Sequence, residues 1–130
     1  MNHLRVYSNL MNKALVRQFT QPLLGHFEQH HILPRSCGGS DDPSNLVYLT
    51  VKEHALAHLL LAHAEGYSTQ WASVEAIYTG ALNPSSPRYG KVRYKHSIRK
   101  RIAFKQAEWK RDAARQRLIK NFNRANKKID

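Results

Sequence analysis

The chain holds one cysteine, Cys37, in 130 residues. A lone thiol excludes an internal disulfide, so the fold must rest on its core, and it fits a reducing cytoplasm. Long apolar runs are absent as well. Nothing approaches the roughly 18 residues that a membrane-spanning helix needs, and MNHLRVYSNLMNKALVRQF lacks the unbroken apolar stretch of a signal peptide. A cytoplasmic protein with no membrane partner is therefore expected. No internal repeat is visible, and a chain of this length suffices for one domain, 1–130, with a modest core.

Acidic charge is the other shortage: 9 Asp and Glu face 21 Lys and Arg, a net charge of +12. The imbalance is local. Residues 1–87 carry five basic and six acidic side chains, whereas Arg88 to Lys128 carries sixteen basic ones against Glu108 and Asp112. A cationic segment interleaved with Phe104, Trp109 and Phe122 suits a polyanion, nucleic acid first. Counterion release would make such binding strong and salt-sensitive without sequence specificity. Arg99, Lys100, Arg101, Lys105, Lys110 and Arg111 are the expected contacts. A solubilising tail, or an arm for an acidic partner, is the bland alternative.

What is present in unusual supply is histidine, in the stretch EQHHILPRSCGGSDDPSNLVYLTVKEHALAH from residue 28 to 58. Leu4, Tyr7, Leu10, Met11, Ala14, Leu15 and Phe19 recur at helical spacing upstream of it, predicting a helix from 4 to about 19 in an N-terminal segment 4–24. Residues 27–32 and 46–49 read as short strands around a loop rich in Gly, Asp, Pro, Ser and Asn. Thr50 and Glu53 make a capping box that opens a helix to about Glu65, with Gly66 as its stop. A further helix is expected from Gln70 to Tyr78, ending near Gly80, in a segment 67–84. A loop follows, then a basic helical segment, 85–130, with a thin stripe of Ile98, Ile102, Ala113, Leu118, Phe122 and Ala125 and room for one break.

His54 and His58, four apart on a helix, share one face and can offer two imidazoles to one metal ion. A metalloprotease would need Glu directly after the first histidine; that position is Ala55, so a zinc protease is disfavoured. His30 and His31 are adjacent in a strand and point to opposite sides. One can turn towards the metal helix while the other faces a substrate. Phosphodiester hydrolysis calls for this division: a metal ion to stabilise charge on the phosphate and leaving oxygen, and a base free of the metal to activate water. Asn45 can hydrogen-bond across the hairpin and hold the strand, and Gly38 and Gly39 permit the turn.

The series H-H-I-x-P, G-G-S-D, N-L-V-x-L-T and E-H-x-x-x-H, over about residues 4–65, resembles the HNH endonucleases, closest to small phage-encoded homing-type members. The resemblance implies an α+β, mostly helical chain whose ββα-metal (His-Me finger) core occupies 25–66. It implies that His30, His54 and His58 ligate a metal, that His31 is the general base and Asn45 the structural Asn, and that Glu28 supports the site. Arg35, beside the motif, is placed to touch the scissile phosphate. The implied activity is metal-dependent cleavage or nicking of double-stranded DNA with 5′-phosphate and 3′-hydroxyl products. One divalent ion is implied, magnesium or manganese by the family's habit, although three imidazoles by themselves favour zinc, nickel, cobalt or manganese over magnesium. Monomer and homodimer both remain open. With no CxxC pair, the structural zinc of some relatives is not expected. A metal-stabilised module that binds DNA without cutting it is the alternative, and an RNA-binding accessory role ranks last.

Overall fold

A computed structural model describes residues 1–127; the last three residues of the expected basic segment lie outside the described residues. The chain from Met1 to Arg93 forms one compact unit, and a second begins at Tyr94. The first contains helix α1 (His3–Thr20), strand β1 (Glu28–His31), strand β2 (Leu46–Leu49), helix α2 (Val51–His63) and helix α3 (Trp71–Leu82); the second contains helix α4 (His96–Lys127). The architecture is α+β and mostly helical, with one two-stranded antiparallel sheet followed directly by α2. Among the described residues no helix is long and apolar enough to cross a membrane.

Asn2 starts α1 by accepting the Arg5 amide hydrogen on its side chain. The helix buries Tyr7, Met11 and Ala14, one stripe at i, i+4 and i+7. Phe19, expected on that stripe, is 81% exposed. Five residues beyond Ala14 it has rotated ~140° from the buried line. Antiparallel pairing sets His30 opposite Val47 and His31 opposite Leu46. The pleat then sends Val47 and Leu49 into the core and Tyr48 towards solvent.

Helix α2 opens with the expected capping box, Thr50 accepting from the Glu53 amide and Glu53 accepting from the Thr50 amide. Arg17 of α1 grips the same Glu53 carboxylate with both terminal nitrogens at 2.9 Å, tying α1 to the start of α2. Ala55, Ala57, Leu60, Leu61 and Ala62 are buried around much of its circumference, as suits a helix packed on several sides. It ends at His63, and Gly66 takes φ +85° in the turn beyond, a conformation glycine adopts without steric cost. Helix α3 runs two residues past Gly80 and buries Trp71, Val74, Ile77 and Ala81. Helix α4 is continuous over its 32 residues, without the break allowed for above; no Gly or Pro interrupts it. Of its apolar stripe Ile102 is buried, while Leu118 and Phe122 are 70% and 65% exposed.

Candidate metal and catalytic site

The strand pleat and the helix pitch between them assemble the centre. His30 points inward from β1 and is 2% exposed, and His54 and His58 share the face of α2 that meets it. One ligand atom from each lies within 4.8 Å of the others. The ring centroids stand 4.7–5.2 Å apart.

What makes this a donor set rather than a buried histidine cluster is the second ring nitrogen of each. His54 donates Nδ1–H to Glu28 Oε1 at 2.8 Å. His58 donates Nδ1–H to Gln70 Oε1 at 2.7 Å. The Tyr7 hydroxyl donates its one proton to the Ile32 carbonyl oxygen at 2.7 Å, so it must accept from His30 Nε2–H, also at 2.7 Å. Each imidazole thus has its tautomer set from outside, leaving Nδ1 of His30 and Nε2 of His54 and His58 as lone pairs turned inwards. The two Nε2 atoms are 3.0 Å apart. With both Nδ1 protons already committed, two neutral rings have no hydrogen to place between them. Facing lone pairs at that distance repel unless a cation is shared, and a divalent ion with nitrogen affinity meets the need.

The electrostatics agree. Burial is the main force pressing His30 down to about 2, with His58 and His54 adding to it. Burial likewise takes His58 to about 4 and lowers His54 despite its contact with Glu28. The rings are therefore neutral near pH 7, the form that binds metals. Burial would raise the Glu28 carboxyl, but hydrogen bonds from Arg88, His54 and His26 outweigh it and hold Glu28 at about 2. Burial also pushes the Tyr7 hydroxyl up, so it stays a neutral donor.

His31, on the other face of β1, makes no part of this cluster. Its Nε2 lies 2.8 Å from Asp41 Oδ1. The two histidine populations still open into one cavity of about 290 Å³, lined by His30, His54 and His58 together with His31, Arg35 and Ser36. Arg35 is exposed and donates from Nε and Nη2 to the same Asp41 oxygen at 2.9 and 2.6 Å. Asn45 sits outside the cavity. Its Oδ1 accepts from the Leu33 amide at 2.8 Å, and its Nδ2 donates to the carbonyls of Leu33 and Ser40, so one amide closes the loop between the strands. Gly39 must be glycine there, because a Cβ would fall 1.7 Å from the Leu33 carbonyl oxygen.

Arg99, Lys100, Arg101, Lys110 and Arg111 are exposed on α4, and Lys105 is half-buried beside Glu108. At ~100° per residue they wind around the helix: Arg99 and Lys110 share one side, Lys100 and Arg111 another. The structure thus gathers His30, His54, His58 and Glu28 at one centre, with His31 and Arg35 lining the same cavity; the α4 residues belong to the second unit. Sequence reading passed over Tyr7, Gln70, Asp41 and Arg88, all of which contact the site's own residues. Only Asp41 carried any signal, as the last letter of the G-G-S-D series.

No protein-family model and no solved structure matches the chain. Among curated proteins it is 49% identical over 74 residues to the "Probable mobile endonuclease C" of Enterobacteria phage T4, covering 55% of this chain and 35% of that protein. It is 47% identical over 62 residues to the phage's "Probable mobile endonuclease E" (48% and 42%). Against its "Probable mobile endonuclease B" the identity is 52% over 62 residues (47% and 24%). The chain therefore spans less than half the length of these relatives.

Proposed function

We propose that the chain is a metal-dependent endonuclease of the HNH type that hydrolyses phosphodiester bonds in double-stranded DNA. The observation that carries the reading is the pairing of two unlike histidine environments across one strand. Three imidazoles with inward lone pairs form a ligand set on one side, and a fourth, tied to no ligand, opens to the same cavity on the other. The likeness to phage proteins named mobile endonucleases supports it.

His30, His54 and His58 would hold one divalent ion. When bound, that ion would neutralise charge on the phosphate and on the departing oxygen. An all-imidazole set favours zinc, nickel or manganese over magnesium, which prefers oxygen ligands. His31 takes a proton from water as the water oxygen bonds to phosphorus. The bond from phosphorus to the 3′ oxygen then breaks, and that oxygen leaves with the electron pair and is protonated from solvent. The products are a 5′-phosphate and a 3′-hydroxyl. Glu28 and Asn45 act by holding the ligands and the strand, Arg35 faces the phosphate, and α4 supplies salt-sensitive affinity and position on the duplex.

Relaxation of supercoiled plasmid with Mg²⁺, Mn²⁺, Ni²⁺ or Zn²⁺, against EDTA and against His31→Ala, tests this. Metal-dependent nicking that His31→Ala abolishes, with DNA retention unchanged, is the expected result. Retention of DNA by both proteins with no cutting by either would refute it and leave a metal-held DNA-binding module.

A further inference from the structure

The proposed base has a companion that takes no part in the cleavage steps. His31 offers two ring nitrogens, and the Asp41 carboxylate lies 2.8 Å from one of them, Nε2. A carboxylate only accepts, so Nε2 carries the hydrogen and Nδ1 is left with the lone pair. No hydrogen bond engages Nδ1 among the described residues. The same Asp41 oxygen also accepts from Arg35 Nε and Nη2. Three donors therefore converge on one atom.

An exposed carboxylate usually roams, and an isolated surface pair orders little. Asp41 differs because the chain on both sides of it is pinned. The carbonyl of Ser40 accepts from Asn45 Nδ2 at 2.8 Å. Asp42 accepts from both the amide and the hydroxyl of Ser44, at 2.9 and 2.7 Å, which caps the turn Pro43–Asn45. On the far side, Arg35 springs from the turn Arg35–Cys37, closed by Gly39 N donating to the Pro34 carbonyl at 2.9 Å. The histidine and the arginine thus meet a carboxylate whose backbone is fixed by neighbours on either side.

We infer that Asp41 is a positioning residue for His31, accepting from Nε2–H so that Nδ1 is the atom presented to the attacking water, with Arg35 fixing the carboxylate in turn. This rests on the nuclease reading above. It also gives Asn45 a reach beyond its own hairpin, because its amide holds the peptide that carries Asp41.

The test is single-turnover cleavage of a plasmid nick substrate at saturating protein, with Asp41→Ala and Asp41→Asn beside the native chain. Metal affinity and DNA retention are measured on the same preparations. Asp41→Ala should slow the cleavage step about 10- to 100-fold, a part of what a general base contributes, with metal and DNA binding within about twofold of native. Asp41→Asn, which keeps an acceptor oxygen at the same place, should recover most of the rate. Native cleavage with Asp41→Ala as fast or faster would overturn this inference alone; a faster variant would mean that the carboxylate occupies the phosphate's place. No cleavage by the native chain would overturn the nuclease reading and this inference with it.

Discussion

Stripping the metal and lowering the pH should destabilise this fold by an amount the buried imidazoles set. His30 is held at about 2 and His58 at about 4, burial being the first cause in each. In the unfolded chain both titrate at about 6.5. A depressed histidine contributes stability that is complete above the unfolded value and is lost as pH falls below it, because the unfolded state then binds the proton and the folded state does not. The window opens near 6.5 and, for His58, closes near 4. Between pH 6.5 and 5 each group costs ~1.4 kcal/mol per pH unit. The two together therefore remove roughly 4 kcal/mol at pH 5, and His54 adds in the same direction. That is a large share of the ~5–15 kcal/mol of an ordinary domain. Glu28, held at about 2, loses its contribution only as pH falls through and below the ordinary carboxyl value, below the pH 5 of this comparison. Urea unfolding in EDTA at pH 7 and pH 5, followed by the fluorescence of buried Trp71, measures the loss. Adding Zn²⁺ or Mn²⁺ at pH 7 to about a thousand times its dissociation constant should raise stability by ~4 kcal/mol. His58→Gln should flatten the acid slope by one proton. A metal-free protein equally stable at pH 5 and pH 7 would refute the neutral buried triad on which the metal site rests.

Other outcomes follow from single contacts. Tyr7→Phe removes the acceptor for His30 Nε2–H and the donor to the Ile32 carbonyl, so calorimetry should find metal affinity roughly 10- to 100-fold weaker and unfolding ~1–2 kcal/mol easier. Gly39→Ala drives a methyl into the Leu33 carbonyl; it should cost ~3 kcal/mol or more by thermal denaturation and abolish nicking, and a stable active variant would show that the loop is looser than described. Lys110→Gln, on exposed α4, should reduce the slope of log affinity against log salt by about one for any duplex sequence. A slope that depends on sequence would argue against a purely electrostatic α4 contact.

The limits of sequence reading here have a physical shape. The capping box, α2, the shared face of His54 and His58 and the opposite facing of His30 and His31 were legible because each depends on local periodicity: 3.6 residues a turn for the helix pair, two for the strand pair; that His30 is the one turned inward was implied only by the resemblance. The partners that set each tautomer depend on tertiary contact instead. Tyr7 lies 23 residues before His30, and Arg88 lies 60 after Glu28. Tyr7 fits the α1 core stripe equally well as a plain apolar residue, and nothing in its neighbours says that its hydroxyl will meet His30 Nε2. Phe19 misled for the converse reason, since it satisfied a spacing pattern although the buried stripe had already turned away. The facing of the histidines could therefore be read from period, while the contacts that orient their rings come from α1, the turn before α3 and the loop after it. A metal affinity that survived loss of Tyr7 and of Gln70 alike would show that these distant contacts are not what orients the imidazoles.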